Sequence, residues 1–381
     1  LSQASAQRHR RYFLLNNKAV NGNESLSRAP APTAARPFQA SAGERPRADC
    51  SMTISSVRVA AERLRAVGAR PTPVLRSDWV DATAGCACYL KAEHLQRTGS
   101  FKYRGATNAV AGLDAASAAL GVVCHSSGNH GAALAAAAAE RGVPCCVVVP
   151  RTTPGAKIDN MRRYGARVVL CEPTQSARSE TAAAEAAAMG GAAFVHPYDD
   201  AAVLAGQGTI GLELAEELPQ LDAVLVPVSG GGMVGGIAVA LHALRPGVRV
   251  IAVEPKGKGL GRCLALSQRV LDPEAANGAL DTIADAIRTK CLGPTPWAAA
   301  SQLLDPAVLS VDDDQIRAAM RIALLELKQV VEPAGALTLA ALLSPAFKQL
   351  REEHQLRHVA AIVCGGNIDL ETLFLHVRTG P

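Results

Sequence analysis

The chain has 381 residues, 49% of them hydrophobic and only 3% aromatic, and carries a formal charge of +5. That length leaves room for two domains, and the core must be aliphatic and alanine-rich, as in helices packed closely on a sheet. Residues 1–50 hold eight basic and three acidic side chains, the whole of the excess, so the balanced remainder lacks the clustered positive face that nucleic acid requires.

The first segment, 1–52, is rich in Arg, Ser, Ala, Pro and Asn and poor in acid. That composition fits an organellar transit peptide, and equally a disordered tail or an upstream translated stretch. The folded part is expected to begin near Met52, in the cytoplasm, or in a plastid or mitochondrion if the extension is a transit peptide. The ten cysteines form no framework: Cys86-Ala87-Cys88 and Cys145-Cys146 are too close for ordinary bridging or metal spacing, and no C-x-x-C pair exists. A reducing compartment follows as the default. No apolar run reaches the roughly 18 residues of a membrane span, so no membrane partner is expected.

From Met52 the pattern predicts a helix over Ile54–Val67 and a strand over Cys86–Glu93, with Lys102 next. Short apolar strands then alternate with helices. Strands are expected at Gly121–His125, Pro144–Val149, Ala166–Leu170 and Ala192–Val195, with helices Gly131–Arg141, Gly155–Tyr164 and Ser176–Met189 between or after them. After Asp200 come a helix over Ala201–Glu217, a strand over Ala223–Val228 and a glycine loop opening a helix to Leu244. A strand over Val248–Val253 follows, and residues 256–300 are less regular. Helices near Asp312–Lys328 and Gly335–Leu343 and a last strand, Val359–Val363, complete the body. Continuous apolar strands alternating with helices indicate an α/β fold with mostly parallel sheets covered on both faces.

Four stretches carry chemistry, each just past a strand, where open parallel sheets bind ligands. In Gly99-Ser100-Phe101-Lys102-Tyr103-Arg104-Gly105 a lysine follows an aromatic residue between two glycines and leads into a small-residue helix. A lone lysine is usually solvated; one desolvated at a crowded site loses its proton near neutral pH and forms an imine with an aldehyde. In Ser126-Ser127-Gly128-Asn129-His130-Gly131, hydroxyls and backbone N–H groups at a helix start suit an α-carboxylate. One Ser or Asn would suffice for a plain N-cap. Ser229-Gly230-Gly231-Gly232-Met233-Val234-Gly235-Gly236 lets backbone amides approach a phosphate. Gly230, Gly232 and Gly235 also spell G-x-G-x-x-G, with Glu254 about 20 residues on as the ribose acid of a dinucleotide site. Cys364-Gly365-Gly366-Asn367 offers a thiol, as a nucleophile or as a neutral hydrogen-bonding group.

Together, in this order, the four stretches resemble the pyridoxal-phosphate enzymes of the serine racemase and threonine/serine dehydratase family, most of all its plant-type serine racemases. Supporting stretches are His196-Pro197-Tyr198-Asp199-Asp200, Ala205-Gly206-Gln207-Gly208-Thr209 and Val331-Glu332-Pro333-Ala334-Gly335. The resemblance runs from about Val57 to Leu370 and implies the tryptophan-synthase-β-like fold, with a small domain over 121–199 and a large one over 53–120 and 200–381. It implies that Lys102 holds pyridoxal 5'-phosphate covalently, with Phe101 against its ring and Asn129 on its phenolic oxygen. Gly230, Gly231, Gly232 and Met233 would cradle the phosphate, and Cys364 would face the ring nitrogen. Ser126, Ser127, Gly128 and His130 would hold the substrate carboxylate, helped by Arg178 on the substrate side.

The expected reaction with serine has two outcomes after Lys102 removes the Cα proton. Reprotonation by Ser127 from the opposite face gives the enantiomer, and loss of the β-hydroxyl gives pyruvate and ammonia. A thiol at the ring nitrogen is a weaker proton source than an aspartate, which disfavours transamination. The alternatives are an L-threonine/L-serine dehydratase with little racemisation, more remotely an NAD-dependent dehydrogenase using Gly230–Gly235 and Glu254, and a sensor that binds without turnover. A homodimer is implied by resemblance alone. Members using Mg²⁺ or Ca²⁺ follow the acid at Glu254 with Gly/Ala-Asp-Asp. Here Lys256-Gly257-Lys258-Gly259-Leu260-Gly261-Arg262 follows, the partner Asp is missing, and a nearby lysine opposes a divalent cation. A metal site of the usual kind is therefore not expected.

Overall fold

The computed structural model describes residues 52–270 and 280–378. The N-terminal extension and its transit-peptide reading lie outside them.

Ten strands among the described residues form two sheets. In chain order they are β1 (Val74–Leu75), β2 (Ala87–Lys91), β3 (Val122–His125), β4 (Cys145–Pro150), β5 (Arg167–Cys171), β6 (Ala193–Phe194), β7 (Ala223–Pro227), β8 (Arg249–Pro255), β9 (Val308–Val311) and β10 (His358–Ile362). One sheet has the order β1-β2-β10-β7-β8-β9 and is parallel except for β1; the other, β5-β4-β3-β6, is parallel throughout. The central strands are apolar on both faces because helices cover both sides, and β7 is buried along its whole length. β5 reads similarly in sequence but lies at an edge, and it is half exposed.

The elements expected from the sequence are found, most within one or two residues of their expected bounds. The short ones were not legible. β1 and β9 and the helices Asp78–Ala84 and Ala115–Leu120 are too brief to display a period. Helices Pro345–His354 and Leu370–Arg378 near the end are further elements beyond those the sequence pattern predicts. The expected helix after the lysine begins earlier than its small-residue run, at Lys102 itself, and extends to Ala111.

Two devices hold that helix in place. A Cβ on Gly206 would stand 2.6 Å from the Gly105 Cα, so helix Ala201–Glu217 crosses it with the two backbones in direct contact. Around the crossing, buried Arg104 binds Glu93 at 2.7 Å and Glu213 at 2.9 Å, while fully buried Lys91 reaches Glu213 at 2.8 Å. Buried charges on this scale survive only when paired and hydrogen-bonded. The network therefore ties the start of the Lys102 helix to β2 and to helix Ala201–Glu217. The nine described cysteines are all unpaired. No described helix is long and apolar enough to cross a membrane.

Candidate active site

The strand ends of both sheets face one cavity of about 300 Å³, and every residue read as a site residue borders it except Glu254. Lys102 enters at the start of its helix. Its Nζ donates to Pro197 O at 2.7 Å and lies 5.0 Å from the centre of the Phe101 ring. Desolvation lowers its amine to about 8, only partly offset by Cys364 and Glu332, so a reactive neutral fraction exists near physiological pH.

The helix start after β3 supplies the second wall. Asn129 is its first residue, and the N–H groups of its first turn lack helical partners. Ser126, Ser127 and Gly128 precede it along the cavity. His130 is buried and joined through Nε2 to Val195 O at 3.0 Å, and burial, followed by the Lys102 charge, pushes it down to about 3. With Nε2–H donating, Nδ1 carries no proton. For a carboxylate, His130 therefore has its first-turn backbone N–H to offer rather than its ring.

The glycine loop supplies the third wall. Gly231, at φ 97°, caps helix Gly232–Leu244, and Met233 lies in its first turn. A Cβ on Gly230 would stand 2.2 Å from the Tyr198 ring. Only a bare backbone leaves the amides open beneath that ring, as a phosphate cradle requires. Gly230→Ala is expected to weaken cofactor binding about 10- to 100-fold, the scale of a 1–3 kcal/mol overpacking cost. Titrating the cofactor-free variant with pyridoxal phosphate and following visible absorbance checks this.

Cys364, after β10, is buried and donates its thiol to Ala334 O at 3.3 Å. Burial raises it well above the ordinary thiol range, so of its two readings the neutral hydrogen-bonding group holds.

Glu332 was legible only as part of a supporting stretch, yet it borders the cavity. Its Oε1 accepts from Asn129 Nδ2 at 2.8 Å, and Asn129 Oδ1 accepts from Asn367 Nδ2 at 2.8 Å. One amide proton of Asn129 remains for a ligand. Burial raises the Glu332 carboxyl from 4.5 to about 7. Because the folded protein holds this proton more tightly than the unfolded chain, stability falls as pH rises from about 4.5 to 7 and is then level. Glu332→Gln in cofactor-free protein should leave stability near pH 4.5 unchanged and raise it by about 2–3 kcal/mol at pH 8. Denaturant melts across that range would show a gain growing with pH.

Lys157 and Asp285 also border the cavity and pair at 2.7 Å, and Arg178 faces it with its buried Nε unpartnered. Neither Lys157 nor Asp285 carried a sequence signal beyond a basic helix side.

Glu254 lies apart, at the end of β8. Its carboxylate accepts from Leu260 N–H at 3.1 Å and from Ser310 Oγ at 3.4 Å. It does not line the cavity as a ribose acid should. Nor do these residues fit a divalent cation. Glu254 is buried and already bonded, buried Lys258 is close enough to bias its charge, and no metal-holding cluster occurs among the described residues.

The Lys102 cavity does fit pyridoxal phosphate: a desolvated amine, a side-chain-free cradle at a helix start, a neutral thiol and a spare amide donor line one space. Residues 66–365 match the family described as pyridoxal-phosphate dependent enzymes, and the chain belongs to that family. Within it, the chain is 40% identical to the serine racemase of Arabidopsis thaliana over 84% of its own length and 95% of that protein. It is 42% identical to the β-hydroxyaspartate dehydratase of Paracoccus denitrificans, over 80% and 93%. The solved structure of maize serine racemase superposes with a TM-score of 0.80 at 38% identity, covering 86% of this chain and 97% of that one. The dinucleotide reading is overturned by this membership.

Proposed function

We propose that the protein interconverts L- and D-serine and also eliminates water from serine, releasing pyruvate and ammonia. The observation that carries this is the meeting, around one cavity, of a desolvated lysine and the Ser127 hydroxyl. Bound pyridoxal phosphate supplies the electron sink that lets a Cα proton leave. The first-turn N–H groups after Gly128, with Ser126, hold the substrate carboxylate. Lys102 takes the proton from Cα, and Ser127 returns one from the other side. When the β-hydroxyl departs instead, hydrolysis of the product gives pyruvate and ammonia. Cys364 stays a thiol and does not protonate the ring nitrogen as an acid would. Residues 121–199 act as a small domain against 53–120 with 200–381, since the cavity is walled by strand ends of both sheets. A homodimer would cover the exposed apolar Leu370, Phe374 and Leu375 of the last helix.

The test is to follow D-serine and pyruvate from L-serine side by side in one preparation. Pyruvate without D-serine favours a threonine/serine dehydratase, whose substrates differ by a methyl worth only about 1–3 kcal/mol. Neither product overturns the reading. A second reading rests on Arg178: its unpartnered Nε, on a residue that lines the cavity, suits a substrate with a second carboxylate. A higher kcat/KM for 3-hydroxyaspartate than for serine, lost in Arg178→Met, would favour it.

A further inference from the structure

Lys256-Gly257-Lys258-Gly259 turns the chain after β8 through two left-handed glycines, at φ 91° and 81°. Only glycine takes up such angles freely. The turn sends Lys258 inward: the residue is 5% exposed, as deeply buried as the Glu254 beside it at 4%. Burial lowers its amine to about 8, which leaves it an ammonium at neutral pH, with the Glu254 carboxylate favouring the charge. Lys258 Nζ donates to the backbone carbonyl of Thr289. Thr289 Oγ1 in turn lies 3.0 Å from the hydroxyl of Ser229, the residue before Gly230. Hydrogen bonds therefore join a buried cation to the base of the glycine cradle, with the acid at the end of β8 close enough to favour the cation's charge.

We propose that Lys258 is an internal cation doing the work a divalent metal would do beside Glu254, balancing that buried carboxylate and anchoring the glycine loop through Thr289 and Ser229. The protein then needs no Mg²⁺ or Ca²⁺ to hold its cofactor. Lys258 is a positioning residue, since it touches the loop rather than the reacting atoms. The physical reasons are two. A buried carboxylate requires a charge partner or donors, and a second positive ion placed beside a buried ammonium is repelled.

The test uses holoenzyme and reads thermal midpoint and the rate of cofactor loss on dialysis, neither of which depends on which substrate is turned over. Wild-type values should be the same in EDTA as in millimolar MgCl₂ or CaCl₂ at matched ionic strength. Lys258→Met should lower the midpoint by about 5 °C or more, because the hydrogen bond to Thr289 is lost and the buried Glu254 carboxylate no longer has a cation favouring its charge. It should also speed cofactor release about tenfold, the change expected when a charged hydrogen bond worth about 1.5 kcal/mol no longer anchors the loop. Glu254→Gln/Lys258→Met should regain most of the midpoint, since no unpaired charge remains. A saturable rise in the wild-type midpoint with either cation would overturn the proposal, whether or not the variants fold. So would a Lys258→Met protein that releases cofactor at the wild-type rate, which would mark a purely structural lysine. A double variant no more stable than the single one would remove the charge pairing.

Discussion

Replacing Lys102 with Ala is expected to abolish both products from L-serine, with a loss of about 10³-fold or more, because proton transfer by a positioned base and covalent anchoring disappear together. The residue's surroundings set this magnitude. Its Nζ donates to Pro197 O, and among the described residues no carboxylate lies within ion-pair distance to hold it as a surface lysine would be held. Burial is the leading cause of its lowered proton affinity. Borohydride reduction of the yellow wild-type holoenzyme, followed by peptide mapping, should place the pyridoxyl label on Lys102, and Lys102→Ala should take up none. Cofactor uptake by the cofactor-free wild type should accelerate as pH rises through about 8, where the amine becomes neutral. A label on any other lysine, or a variant that still racemises, would remove Lys102 from its assigned place.

Ser127→Ala should separate the two reactions. D-serine formation should fall about 10²- to 10⁴-fold, the usual contribution of a positioned proton donor, while pyruvate formation from L-serine stays within about tenfold of wild type. Elimination needs the Cα proton removed and the hydroxyl released, and neither step calls on Ser127. The hydroxyl lines the cavity immediately before the helix start, the place proposed for the substrate carboxylate, so a modest rise in KM is expected for both reactions. Chiral chromatography of serine alongside a coupled pyruvate assay measures both arms at once. Unchanged D-serine formation would return Ser127 to a purely carboxylate-binding role. Equal loss of both products would show that it orients substrate rather than moving a proton.

The legible parts of this molecule share one property: the physical demand acts within a few residues. Consecutive glycines at Gly230–Gly232 announce a backbone that must be approached closely, and the structure places the Tyr198 ring where any Cβ on Gly230 would stand. Alternating apolar strands and helices announce covered parallel sheets, because burial on both faces erases the period-two pattern. His196–Asp200 stood out as a motif without a physical task. In the fold Pro197 receives the Lys102 ammonium, Tyr198 covers the glycine loop, and Asp200 caps helix Ala201–Glu217.

The sequence by itself thus determined the fold class, the alternation of elements and the four stretches that meet at the cavity. It also showed that an acid was missing after Glu254. Tertiary structure alone decided which groups meet across long separations. Glu332 reaches Asn129 across 203 positions, Asn367 reaches the same amide across 238, and Lys258 turns inward to Thr289 across 31. It also decided that His130 turns its ring to Val195 and that β5 lies at an edge. The physical reason is that strand order and helix crossing set these neighbours. A carboxyl's burial, and with it its proton affinity, depends on groups the local chain does not contain.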